Sequence, residues 1–466
     1  MSTQPLVSVI IPTFNRAKVI SSTLESVLAQ TYPRVEIIVI DDGSSDDTAA
    51  VIAGYGDRVR YHRQQNQGVE RARSRGIRLA QGEFINFLDD DDLMQPEKLA
   101  RQVELFQQRP TFGIVHCGYD YIDKNGVLLE TTGRLPEGDV RKNLAWGCFP
   151  WSGGPLVRRE CLNLIGEDEH RDWYGDWGMW LRVALAGYHF GCVQEPLGAY
   201  RIVPGSMTDD KVANAERLVF HILDEIFTHY DLPPEAHAES DAIYAGWHFW
   251  ITCRYYVGGF YTEGQRSLTH VLERRPALLD KPDDLLQMFY WDALSPRGRV
   301  GDPIGFIQKV FDHLPEAALP LKPLRGRLLA QAHSGLALFD YGAGRLTEGQ
   351  RHLSDALRHD PAHFDQPERF MQALRDCAGK MRLESPADYV NRVFQHLPAQ
   401  ATGLARMRGR VLAETQIARA FRDYEAGQRS GVPGQVLSAV RHQPALLKNR
   451  GVLLIFLKSL PALVRG

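Results

Sequence analysis

Residues 84–92 read Phe-Ile-Asn-Phe-Leu followed by four consecutive aspartates, Asp89, Asp90, Asp91 and Asp92. Adjacent carboxylates repel one another and raise each other's pKa unless positive charge sits among them. An acidic run taken alone reads as a solvated turn. This run follows an apolar, strand-like stretch, and open α/β sheets place their ligands at the carboxyl ends of strands. A hard divalent cation takes oxygen ligands, often one or two carboxylates together with substrate phosphates. If the strand continues through the run, its side chains alternate, so Asp89 and Asp91 face one way and Asp90 and Asp92 the other. One pair then serves a cation, while the other caps the next helix or reaches the ligand.

The elements around this run must bring further polar groups to it. Residues 6–11 and 35–40 are apolar and rich in β-branched side chains, the pattern of strands covered on both faces. A short strand is read at 59–62 and another at 83–88. Helices are read at 19–30, at 69–80 with Arg71, Arg73 and Arg75, and from Pro96 to about residue 108. Each long strand ends in a polar cluster: Pro12-Thr13-Phe14-Asn15-Arg16, then Asp41-Asp42-Gly43-Ser44-Ser45, then the aspartates. Ser44 or Ser45 is placed to cap the helix that follows. Alternating strands and helices predict right-handed βαβ units and a mainly parallel sheet. In such a sheet the three clusters share one edge and converge on one crevice. No G-x-G-x-x-G follows the first strand, and no Walker A sequence occurs. Both absences speak against a dinucleotide cofactor or an ATPase.

The whole chain sets wider bounds. Its 466 residues suggest about three domains at ~150 residues each. Hydrophobic residues make up 44% and charged residues 24%, as in a soluble globular protein. A net charge of −3 gives nothing to recruit nucleic acid or an anionic membrane. The six cysteines form no C-x-x-C pair, so reduced thiols in a cytoplasmic protein are expected. No signal peptide is read at the start, and no run of ~18 apolar residues is present.

Several of these stretches together resemble the family 2 glycosyltransferases: residues 9–16, 26–31 (Ser-Val-Leu-Ala-Gln-Thr), 39–46, Asn66-Gln67-Gly68 with Ala72-Arg73, and residues 87–92 with Pro96. The resemblance covers about residues 5–210. It implies an α/β, Rossmann-like GT-A catalytic domain over 1–210 that inverts the anomeric carbon of a nucleotide-diphosphate sugar. Asp89 and Asp91 then match the D-x-D pair for Mn2+ or Mg2+, with Asp91 in direct contact. Asp90 is expected to reach the ribose and Asp42 to accept an N–H of a uracil-like base. Pro12, Thr13, Asn15, Arg16, Asn66 and Arg73 are expected to line the nucleotide. Asp176 opens an aromatic helix, where a carboxylate suits the helix dipole in any case. The resemblance makes it the general base that deprotonates the acceptor hydroxyl, with Asp172 as a weaker choice. Gly175 stands where the family usually has Glu, and Val203 where it often has a metal-touching His. Weak metal dependence follows, with Arg201 helping to neutralise the diphosphate. Trp151, in an aromatic and Gly-rich stretch, is an acceptor-contact candidate, the acceptor being a glycan, lipid-linked or other hydroxyl. A nucleotide-sugar-binding scaffold without turnover and a nucleotidyltransferase are the alternative readings.

The remaining strands are expected at 113–117, 189–193 and 198–202, with a hairpin turn at Asn125-Gly126. From about residue 211 the composition becomes helical. Gly-Gln recurs at 264, 349 and 434, a constant step of 85 residues. Segments 306–315 and 389–398 match each other, as do 325–328 and 408–411. An all-helical repeat domain is therefore expected over 211–466, with about four helices per unit, loosely like tetratricopeptide arrays. Such a surface suits acceptor handling, self-association or protein docking. His313 and His396 recur within it and are read as structural. The apolar stretch 452–460 is read as a packed terminal helix, with membrane contact at most peripheral.

Overall fold

The computed structural model describes residues 4–165, 175–202, 212–230, 232–298, 300–365, 367–380, 385–425 and 429–464. The chain forms two compact units, Met1–Pro276 and Ala277–Gly466.

The first unit runs β1 (Val7–Thr13), α1 (Ile20–Leu28), β2 (Val35–Asp41), α2 (Thr48–Ala53), β3 (Arg60–Arg63), α3 (Val69–Leu79), β4 (Phe84–Phe87), β5 (Leu93–Met94), α4 (Lys98–Gln108), β6 (Phe112–Ile122), β7 (Leu128–Thr131), α5 (Arg141–Trp146), β8 (Leu156–Arg158), α6 (Arg159–Ile165), α7 (Gly175–Leu185), β9 (His189–Arg201), α8 (Val212–His229), α9 (Pro234–Ala238), α10 (Ser240–Gly258) and α11 (Tyr261–Arg274). One sheet has the order β3-β2-β1-β4-β8-β6-β9-β5, with β7 paired to β6. The first four strands of the sequence, adjacent in the order β3, β2, β1 and β4, are parallel, and β6 and β9 are parallel to each other.

Period-two alternation explains why the strands read as continuous apolar runs. Val7, Val9 and Ile11 face one core with Ile37, Val39 and Phe84. Ile10, Ile38, Ile40, Ile85 and Phe87 face the other. Helices α1, α2 and α4 cover the first face. Helices α3, α5, α6, α7 and α8 cover the second. Helix α3 lies close to β1 because a side chain at Gly76 would collide with Ile10. The same helix face carries Ala72 and Arg73, so Arg73 is pressed inward, 7% exposed.

Two sequence expectations change here. The strands expected at 189–193 and 198–202 are one, β9, which ends at Arg201. Register shifts against β6 around Gly118 absorb the irregular stretch between them. The compositional change near residue 211 marks the end of the strands, while Val219, Ile222 and Ile243 share the core of the sheet. The Asn125-Gly126 turn does join a hairpin: Gly126 adopts φ +84° and the Asp123 carboxylate accepts from the Asn125 and Val127 amides.

The second unit is helical: α12 (Ala277–Asp280), α13 (Pro282–Leu294), α14 (Pro303–Asp312), α15 (Arg325–Gly342), α16 (Leu346–His359), α17 (Pro367–Lys380), α18 (Pro386–Gln395), α19 (Arg408–Glu425), α20 (Val432–His442) and α21 (Arg450–Val464). Matching sequences start helices in the same way. Asp302 caps α14 and Ser385 caps α18, each followed by Pro at the first helical position. His313 and His396 end those helices, each ring nitrogen meeting the carbonyl four residues back. In α21, Val452 and Ile455 are buried while Leu453, Leu454, Leu457 and Leu460 are exposed. Among the described residues, no helix is long and apolar enough to cross a membrane.

Gly349 shows why one recurring Gly-Gln position needs glycine. A Cβ there would sit 2.7 Å from the ring of Tyr341, which is fully buried. At Gly434 a Cβ meets nothing within 4 Å. Gly349→Ala should lower the chemical unfolding midpoint, since overpacking costs about 1–3 kcal/mol against a helix-propensity gain of up to ~1 kcal/mol. Gly434→Ala should raise it or leave it unchanged. Equal effects at the two sites would refute the packing argument.

Candidate functional site

Strand register builds the site. Thr13 pairs with Asp41 across β1 and β2, and Ile10 with Phe87 across β1 and β4. The chain segments after these residues therefore leave the sheet side by side. Strand β4 ends at Phe87, so the aspartates lie on a turn, closed by the Asp92 amide donating to the Asp89 carbonyl at 3.2 Å. The alternation expected of a continuing strand does not apply. The four carboxylates instead take three directions.

Asp89 turns toward α3. One of its oxygens accepts from Arg73 at 2.8 Å and the other from the Ser152 hydroxyl at 2.5 Å. Asp90 and Asp91 turn toward Arg16. The Arg16 Nε donates to Asp90 at 3.2 Å, and its Nη2 lies 4.0 Å from Asp91. Asp92 turns inward and is fully buried, accepting from the Trp151 indole N–H and the Arg201 amide. Burial raises the Asp90 carboxyl to about 7; the Thr13 hydroxyl opposes this and Asp91 adds to it. Burial and then Asp89 raise Asp91 as well. Burial works against the charge on Arg73, but Asp89, Glu70 and Asp176 outweigh it and hold the guanidinium charged.

That last effect locates Asp176. It stands in the first turn of α7, close enough for its negative field to reach Arg73. Helix α7 is fixed beneath the strand ends by its tryptophans. Trp180 is fully buried with its ring centroid 6.3 Å from that of Phe87, and the Trp177 indole donates to the Leu144 carbonyl at 2.7 Å. Asp172 and Val203 lie outside the described residues.

The loops after β1 and β2 brace each other. Asn15 adopts φ +55°, which asparagine tolerates. Its amide donates to Ser44 Oγ at 2.9 Å, and its side-chain oxygen accepts from the Ser45 amide at 2.8 Å. Ser44 and Ser45 are thus used by Asn15, and it is Asp46 that accepts from the Thr48 amide at the start of α2. Asp42 is 4% exposed and accepts from the Gln64 side chain and from the Gln67 and Gly68 amides. It holds the segment entering α3, beside exposed Asn66. Pro12 and Thr13 are buried in β1. Arg71 and Arg75 line a shallow polar groove of about 290 Å³ with Gln64, Gln67, Ser74 and Arg78.

One expected role is corrected, and a second gains detail. Trp151 is 4% exposed and cannot present a face to an acceptor. Its ring packs against Tyr119, with centroids 5.4 Å apart, and under the Lys98 ammonium, while its N–H holds Asp92. Arg201 gives two of its donor nitrogens to carbonyls of the turn and the neighbouring hairpin, and its charge also acts to lower the Asp91 carboxyl. Its Nε donates to the Asp91 carbonyl at 2.8 Å and its Nη1 to the carbonyls of Asp123 and Lys124. Both residues secure the aspartate turn from behind. Sequence reading missed Ser152, the second partner of Asp89, because a lone serine in a glycine-rich loop carries no periodic signal. It also missed Thr23, whose hydroxyl donates to the carbonyls of Asp90 and Asp92.

Asp92→Asn offers only one carbonyl oxygen to two N–H donors, so one buried group loses its partner. This should destabilise the fold by roughly 1–3 kcal/mol, and an unchanged chemical unfolding midpoint would count against it. Lys98 gives a pH signature. Burial lowers its ammonium to about 8 from the ordinary 10.5. The folded chain then binds fewer protons than the unfolded chain in that window, so this contribution grows as pH rises and is lost as pH falls through about 8. Unfolding free energy followed from pH 7 to 10.5 should rise for the wild type relative to Lys98→Met. Parallel curves would show that Lys98 titrates normally.

With this geometry in view, comparison with known proteins gives the family. Residues 8–153 match Glycosyl transferase family 2. A putative teichuronic acid biosynthesis glycosyltransferase, TuaG, of Bacillus subtilis is 31% identical over 225 residues, covering 47% of this chain and 87% of that protein. An uncharacterised glycosyltransferase of Rickettsia typhi is 40% identical over 121 residues, 26% of this chain and 38% of that protein. A GalNAc(5)-diNAcBac-PP-undecaprenol beta-1,3-glucosyltransferase of Campylobacter jejuni is 39% identical over 130 residues, 27% of this chain and 41% of that protein. The chain spans between 19% and 38% of the length of three Rickettsia relatives. The identity to TuaG over most of its length, together with the match through the aspartate turn, shows that the chain belongs to glycosyl transferase family 2.

Proposed function

We propose that the first unit transfers a glycosyl group from a nucleotide-diphosphate sugar to an acceptor hydroxyl, with inversion at the anomeric carbon. One observation carries this reading. The aspartate turn and two arginines meet at the carboxyl ends of β1 and β4, and the Asp176 carboxylate acts on one of those arginines. A diphosphate needs cationic partners, and an attacking hydroxyl needs a base nearby. Arg16 and Arg73 supply the first, and Asp176 the second. In this reading Pro12, Thr13, Asn15, Asp42 and Asn66 border the nucleoside, and Asp90 reaches the ribose. Asp42 already accepts three protein N–H groups, so a base must share or displace one of them. Uridine is the favoured nucleoside on the resemblance alone.

The donor set fits a hard divalent cation, Mn2+ or Mg2+. Asp91 is raised by burial and by Asp89, and its ion-pair partner Arg16 is 4.0 Å away. Arg16 and Arg201 both act to lower that carboxyl, and burial with Asp89 outweighs them. Asp89, closed by Arg73 and Ser152, is the poorer ligand of the expected pair. Bound at Asp91, such an ion would supply Lewis-acid stabilisation to the departing diphosphate. Arg73 stays charged at any working pH and so holds negative charge on the leaving group as it develops. Asp176 takes the acceptor proton as the hydroxyl attacks. The names of the relatives from Bacillus subtilis and Campylobacter jejuni favour a glycan or lipid-linked acceptor.

Asp176→Asn should reduce glycosyl transfer by about 10²–10⁴-fold, the usual share of a general base, while calorimetry shows nucleotide binding intact. Turnover at the wild-type rate would remove Asp176 from the mechanism. Release of pyrophosphate instead of a nucleoside diphosphate would overturn the reaction class.

A further inference from the structure

The second unit gathers a different set of ligating side chains. Among the described residues, His333, His352 and Asp355 each bring one ligand atom to within 4.8 Å of the others. His333 is on α15 and is 7% exposed. His352 and Asp355 are on α16, three residues apart and so on one helix face. A short connection through Gly344, at φ +80°, folds α16 back against α15.

Two Nδ1 atoms face each other here, that of His333 and that of His352, 2.9 Å apart. Without an ion, one must donate and the other accept. With an ion between them, both lone pairs would point at it. Zinc–imidazole bonds of about 2.0–2.1 Å in a tetrahedron separate neighbouring ligand atoms by ~3.3 Å. The rings need move only a few tenths of an ångström to reach that spacing. Behind His352, its Nε2 lies 3.7 Å from Asp340, a buried carboxylate anchored by Arg345 at 2.7 Å. An acid behind a ligating imidazole is the usual outer partner at such centres. The His359 ring stacks on His333, with centroids 5.4 Å apart and planes at 14°, and walls the group. Asp355 pairs with the exposed Arg358 at 2.6 Å. Such a surface pair contributes little and is readily exchanged.

The chain provides its own control. The positions 85 residues earlier hold His248, Ser267 and His270, where His248 faces the serine hydroxyl at 3.4 Å and His270 pairs with Glu273. The matching positions in the third copy hold Gln416, Leu437 and Val440. A helical hairpin forms at all three places, and the third has no histidine at these positions, so its packing does not require paired imidazoles. In the first copy the His248 and His270 rings lie 4.9 Å apart, but among the described residues it is the middle copy that brings ligand atoms of two imidazoles and a carboxylate to one point. We propose that His333, His352 and Asp355 bind a divalent transition ion of the zinc class, with a fourth position left to water. Two imidazoles with one carboxylate suit such an ion better than magnesium, which separates this centre from the cation site at Asp91.

The test uses the full chain, stripped with chelator, with magnesium in excess to fill the Asp91 site. Zn2+ is titrated by calorimetry, and Co2+ by its visible absorption, which reports tetrahedral nitrogen ligation. One tight equivalent is expected, with a rise in melting temperature. His352→Gln, and His333→Gln (the third copy tolerates Gln there), should weaken binding by more than the ~10–100-fold that loss of an outer partner costs. Asp340→Asn should fall within that range, and His396→Ala should leave binding unchanged. The circular dichroism of each variant checks that the helices persist. Stoichiometric binding that survives both Gln substitutions, or no binding by the wild type, would overturn the proposal without touching the glycosyl-transfer reading.

Discussion

Four carboxylates crowded at the end of one buried strand are the constraint around which the first unit is arranged. Such a cluster is unfavourable unless each charge is answered or suppressed. The protein does both. Arg73 and Ser152 close Asp89, Trp151 and the Arg201 amide close Asp92, and Arg16 leans on Asp90 and Asp91. Burial raises the carboxyls of the two inner residues of the turn, Asp90 and Asp91, and lifts that of Asp92 well above the ordinary carboxylate range. The outer two are consumed in holding the turn. The proposed chemistry puts its cation at Asp91, where burial and Asp89 raise the carboxyl.

The supports reach far along the chain. Arg73 is buried because Gly76 lets α3 press onto β1. Asn86, fully buried in β4, donates to the carbonyls of Gly153 and Pro155 and so fixes the loop that carries Trp151 and Ser152. Arg201, at the end of β9, ties the turn to the β6–β7 hairpin. Asp176 arrives on a helix clamped by Trp177 and Trp180. Catalytic and structural side chains are therefore interleaved, and several residues that look functional by type work from behind the site.

The helical unit follows a different logic. Its recurring segments start with a capped Pro and end with a histidine that bonds its own helix. Gly349 admits a buried tyrosine between neighbouring helices. Once that frame exists, polar positions on the hairpin face are free to diverge, and the middle copy has used them to collect imidazoles.

The sequence by itself determined the strand and helix pattern and the meeting of three polar loops at one sheet edge, and it singled out Asp91, Arg73 and Asp176 as the residues on which the proposed chemistry rests. These follow from local periodicity and from one topological rule, and both are written along the chain. It could not determine direction. Whether β4 continued to residue 92 or stopped at Phe87 decides which way each aspartate points, and that depends on the turn closing onto Thr23, Trp151 and Arg201, residues up to 110 positions away. Burial decided the rest: Trp151 looked like a platform for a ligand and became the floor beneath the aspartates. The pairing of His333 with His352 was equally invisible, because neither lies within a ligand motif and only the hairpin brings their nitrogens together. Spacing along a chain reports local faces, while contacts between distant segments exist only once the two cores have packed.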